Sequence, residues 1–114
     1  MIIGTDKIKQ LIRDENLVQD LCERELNNPE SIVLDLRLNK VFKMKGRAFL
    51  GIDERETPEM ECVAEYDPEK KSSIVIKPGE YVIAETIETV KIPENLFMIY
   101  KPRTTMHHYQ LVLC

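Results

Sequence analysis

Between Ser31 and Leu38 an isoleucine or leucine falls on every second position. Ile32, Leu34, Leu36 and Leu38 would line one face of a strand, and Val33, Asp35 and Arg37 the other. Further strand candidates follow. Val41 to Met44, Ala48 to Ile52, Cys62 to Tyr66, Ser73 to Ile76 and Phe97 to Lys101 read as short strands, and Tyr81 to Lys91, rich in β-branched residues, as a long one. Turn formers separate them: Gly46, the charged loop 53–61, Asp67-Pro68, Lys77-Pro78-Gly79-Glu80 with the type II pattern, and the breaker Ile92-Pro93-Glu94-Asn95-Leu96. Closely spaced strands of this kind predict an all-β sandwich or barrel.

One helix precedes them. Thr5 can cap a helix starting at Asp6, with Ile8, Leu11 and Ile12 on its buried stripe. Residues 16–30 read as irregular and end in the turn Asn27-Asn28-Pro29.

The chain has 114 residues, which suits one domain over 1–114. At 43% hydrophobic and 32% charged it can bury a core. The net charge of −4 argues against non-specific nucleic-acid binding, though a local basic pocket can still hold a nucleotide. Apolar runs are too short to cross a membrane, and no signal peptide is evident, so a cytoplasmic protein is expected. Cys22, Cys62 and Cys114 have neither disulfide-framework nor zinc spacing.

Three clusters could carry chemistry. Arg103, Thr104 and Thr105 follow an apolar stretch and offer a guanidinium fork and two hydroxyls, donors suited to phosphate oxygens. On the residues alone a solvated turn after a strand is the preferred reading. Asp35 and Arg37 share a strand face, where an ordinary ion pair is the plain alternative. His107 and His108 are adjacent, would point to opposite faces of a strand, and lack a third ligand at useful spacing.

The phrases GTDKIKQLI, PESIVLDLRLNKVF and IVIKPGEYVIAETIETVKIPENLFMIYKPRTT occur in this order. Together they resemble the dUTPase and dCTP deaminase superfamily, especially its deaminase-like members. The resemblance implies a distorted β-barrel or jelly roll, usually a homotrimer with sites between subunits. It implies a deoxypyrimidine triphosphate substrate, dUTP or dCTP, and magnesium as cofactor. It aligns Arg103, Thr104 and Thr105 with the family's phosphate-binding motif, with threonines where serines are usual. It aligns Asp35 with the acidic residue that helps hold magnesium, commonly through water, and leaves Arg37 a structural role. One family branch hydrolyses dUTP to dUMP and pyrophosphate, the other deaminates dCTP; the PRTT form points to the first. In the family a hairpin bearing the catalytic acid follows this motif. MHHYQLVLC does not resemble it, so the sequence reading expects a barrel incomplete on its C-terminal side. On that reading the chain either retains the hydrolase site in part or is a non-catalytic homologue that assembles through residues 106–114.

Overall fold

A computed structural model describes residues 1–29 and 32–108, the last two without their side chains. Seven strands and three short helices, joined by turns and irregular segments, occur among the described residues, consistent with the all-β class.

Helix α1 spans Thr5–Glu15 and buries Leu11 and Ile12, two positions of the expected stripe. Ile8 packs at the edge of the same cluster. The helix begins one residue earlier than expected. Gly4, and not Thr5, is the N-cap. Asn16, at φ 52°, ends the helix in the left-handed region that asparagine tolerates.

The stretch after α1 is more ordered than its composition suggests. Strand β1, Val18–Gln19, pairs antiparallel with β7, Thr89–Val90. Helix α2, Glu23–Asn27, follows β1. Leu11, Ile12, Leu17, Val18 and Leu21 form the core, with Ile3, Leu34, Leu36, Val90 and Leu96 packed around it. Burial of these side chains, at roughly 1.5–3 kcal/mol each, joins the N-terminal helix to the last strand.

A three-stranded antiparallel sheet stands beside that core. Strand β2, Leu38–Lys45, lies at its centre, between β5, Glu59–Glu65, and β6, Ile83–Thr86. Val41, 3% exposed, is its most buried side chain. Strand β3, Phe49–Leu50, pairs with β4, Arg55–Glu56, as a separate hairpin. The loop expected over 53–61 therefore contributes strand residues, its charged side chains pointing to solvent. The turn at 77–80 forms as expected: the Glu80 N–H donates to the Lys77 carbonyl at 3.0 Å, and Gly79 sits at φ +82°. The turn after Pro93 also forms, with the Leu96 N–H donating to the Pro93 carbonyl at 3.0 Å.

Several expected strands are absent or shorter. Residues 32–37, 73–76 and 97–101 join no ladder. Phe97 and Ile99 are 82% and 72% exposed, so that segment has strand chemistry but no partner among the described residues. The long strand expected at 81–91 divides into β6 and β7, because Glu88 turns inward between them. The three sheets remain separate, and no closed barrel forms among the described residues. The expected strand pairing through 106–114 falls largely on 109–114, outside the described residues.

Candidate functional site

The segment before β2 carries Asp35. Of the four residues expected on one face, Leu34 and Leu36 pack on the core, whereas Ile32 and Leu38 are exposed. The segment is nevertheless not a strand, and side chains satisfy its backbone donors. The Asp35 N–H donates to Glu25 Oε2 at 3.2 Å, and the Arg37 N–H donates to Glu88 Oε2 at 2.8 Å. Buried backbone donors need such partners, and two carboxylates supply them in place of a neighbouring strand.

Arg37 completes the second of these contacts. Its Nε donates to Glu88 Oε1 at 2.7 Å and its Nη2 to the Asp20 carbonyl. The hydrogen bond to Glu88 pushes the Arg37 pKa up, above the ordinary arginine value. The Arg37 carbonyl accepts from the Ile87 N–H at 2.9 Å, and Thr86 Oγ1 donates to the Glu88 carbonyl at 2.8 Å. Arg37 thus ties the segment to the turn between β6 and β7, a structural task.

Asp35 has a different partner. Its Oδ2 lies 3.5 Å from Arg103 Nη1, with the Asp35 side chain 30% and the Arg103 side chain 64% exposed. The two residues singled out for metal and phosphate are therefore neighbours in space, open to solvent. Thr104 and Thr105 follow Arg103 directly and are exposed. The expected strand-and-turn setting is corrected here: residues 104–108 form a short helix, α3, so His107 and His108 lie on a helix backbone and not on a strand.

Among the described residues no group of three or more His, Cys, Asp and Glu could hold a metal ion. Asp35 offers one half-exposed carboxylate. That donor fits magnesium only in the form magnesium favours, with water and ligand phosphate completing its shell. The surface hollows lined by 66–73 and by 48–50 with 55–58 contain none of Asp35, Arg103, Thr104 and Thr105.

Glu25 and Glu88, each 3% exposed, are the residues that sequence reasoning missed. Glu88 stands in IAETIETV beside Glu85, which is exposed, and nothing in that run separates the two.

A family model described as dCTP deaminase-like matches residues 2–113. The chain belongs to the dCTP deaminase-like family. The match continues past Thr105, where the sequence reading ends the resemblance. Among relatives, the chain is similar to "dCTP deaminase, dUMP-forming" of Dictyoglomus thermophilum, 28% identical over 116 residues, 99% of this chain and 59% of the relative. It is similar to "Probable deoxyuridine 5'-triphosphate nucleotidohydrolase" of Methanothermobacter thermautotrophicus, 32% identical over 107 residues, 93% of this chain and 60% of the relative. A Parafrankia "dCTP deaminase, dUMP-forming" is 31% identical over 99 residues, 84% of this chain and 47% of the relative. The chain thus spans 59% of the length of the first relative it matches. No solved structure matches.

Proposed function

We propose that this chain binds a deoxypyrimidine triphosphate through Arg103, Thr104, Thr105 and Asp35, and that it serves the hydrolysis of dUTP to dUMP and pyrophosphate. The observation that carries this reading is the approach of Asp35 to Arg103 at 3.5 Å. A guanidinium and two hydroxyls can hold phosphate oxygens. The Asp35 carboxylate beside them would help hold a hydrated magnesium ion, which would supply neutralisation of the phosphate charge. In the reaction, water adds at phosphorus, the α–β phosphoanhydride breaks, and pyrophosphate leaves. Donors fixed before the reaction stabilise the charge that develops on the phosphate oxygens.

A second reading is deamination of dCTP, favoured by the names of the Dictyoglomus and Parafrankia relatives. Converting dCTP to dUMP requires both loss of ammonia and loss of two phosphates. The phosphate site described above would serve either reaction.

Membership of the family supports a distorted β-barrel or jelly roll in the assembled protein, and a homotrimer in the cytoplasm. The separate sheets and the exposure of Leu50, Ile52, Phe97 and Ile99 fit such an assembly, because apolar faces of this extent call for cover.

The test is turnover by the purified chain with magnesium and either nucleotide. Pyrophosphate from dUTP, abolished by Arg103→Ala, is the expected result. Ammonia together with pyrophosphate from dCTP selects the second reading. Nucleotide-dependent thermal stabilisation without turnover identifies a non-catalytic binding protein. The absence of both turnover and stabilisation would contradict the proposal.

A further inference from the structure

We propose that Glu25 and Glu88 are positioning residues for the triphosphate site, acting through the backbone that carries Asp35; this rests on the phosphate-site reading above. Two observations carry it. Both carboxylates are 3% exposed. Each accepts a backbone N–H from the same three-residue stretch, Glu25 from Asp35 and Glu88 from Arg37.

Burying a carboxylate is costly unless hydrogen bonds or a counter-charge offset it. Here the backbone N–H groups of Asp35 and Arg37 and the Arg37 guanidinium supply those partners. What the carboxylates achieve is fixation of an unpaired segment. Residues 35 and 37 lie outside any ladder, so strand neighbours do not set where Asp35 points. Glu25 reaches the segment from α2, and Glu88 reaches it from the turn before β7. The N–H contacts fall at alternate residues on either side of Leu36, which packs on the core. The backbone at Asp35 is thereby held by two carboxylates and one apolar anchor, while its side chain stays free to face Arg103.

Glu88 is the more constrained of the two. Both of its oxygens are engaged, Oε2 by the Arg37 N–H and Oε1 by Arg37 Nε. Glutamine there keeps the shape but brings an NH₂ group against one of two donors. Glu25→Gln retains one oxygen for the Asp35 N–H and is the milder change.

The experiment measures binding of dUTP and of dUMP, each with magnesium, by calorimetry below the unfolding temperature of every variant. Glu88→Gln is expected to weaken dUTP binding about ten- to a hundredfold, the range found when partners that orient a ligating group are removed. Glu25→Gln should give a smaller loss, and dUMP binding should change little. In an Asp35→Asn background neither substitution should add a further loss, because both act through Asp35. Full additivity with Asp35→Asn, or equal losses for dUTP and dUMP, overturns the proposal. If Glu88→Gln does not fold, Arg37→Met with Glu88→Leu removes both charges together and is read the same way. Wild-type protein that binds neither nucleotide overturns the phosphate-site reading itself. Binding that is normal in Glu88→Gln overturns only the positioning role.

Discussion

Asp35 and Arg103 meet at 3.5 Å on the surface, whereas Arg37, two residues from Asp35, is locked to buried Glu88 at 2.7 Å. Neighbouring positions of one segment thus hold a loose pair and a tight one whose carboxylate is buried. The loose pair has donors to offer a ligand; the tight pair keeps the segment in place.

Arg103→Ala should leave stability nearly unchanged, within about 1 kcal/mol, because exposed ion pairs contribute little. Urea unfolding checks this. A larger loss would mean that Arg103 supports the fold and does not wait for a ligand.

Glu88→Ala should destabilise the chain by about 1–3 kcal/mol, since it leaves the Arg37 N–H without its acceptor. The same unfolding experiment reads it. Amide exchange at Arg37 should rise with it, and unchanged protection there would contradict the assigned bond.

Leu11→Ala should cost about 2–5 kcal/mol, through a cavity in the cluster that joins α1 to β1 and β7. Leu50→Ala, at an exposed position, should cost far less in the isolated chain. Similar midpoints for the two variants would show that the core lies elsewhere.

Glu80 carries the pH prediction. The Lys77 N–H, at 2.9 Å from Oε2, and then Lys43, at 3.3 Å from Oε1, hold its carboxyl below the ordinary glutamate value of 4.5. A carboxyl lowered in the folded state stabilises fully above its ordinary value. That contribution fades as the pH falls below 4.5 toward the folded pKa. Protection of the Lys77 amide, its exchange relative to the intrinsic rate at each pH, should therefore be high at neutral pH and fall as Glu80 is protonated. Exchange that changes only as the base-catalysed rate predicts would contradict the bond.

Much of this was legible in the sequence, and the exceptions have a physical pattern. The 3.6 period marked Leu11 and Ile12, and the Pro-Gly chemistry marked the 77–80 turn, because both depend on residues close in the chain. Alternation placed Leu34 and Leu36 inward but could not reveal that Asp35 and Arg37 bond to carboxylates and not to a strand. The split of 81–91 was hidden for the same reason, since Glu88 turns inward to meet Arg37, 51 positions away. Phe97 and Ile99 show the converse: β-branched and aromatic patterning reports fitness for pairing, and a ladder also needs a partner. Within the site, the family resemblance named Asp35 and Arg103, and their proximity in space emerged only from the fold.

The most direct test of the central claim is calorimetric titration of the wild-type chain and of Arg103→Ala with dUTP and magnesium. Saturable binding that weakens at least about tenfold in Arg103→Ala, the equivalent of losing one charge-assisted hydrogen bond, is the predicted result. Equal affinity in the two proteins, or no binding by either, would contradict it.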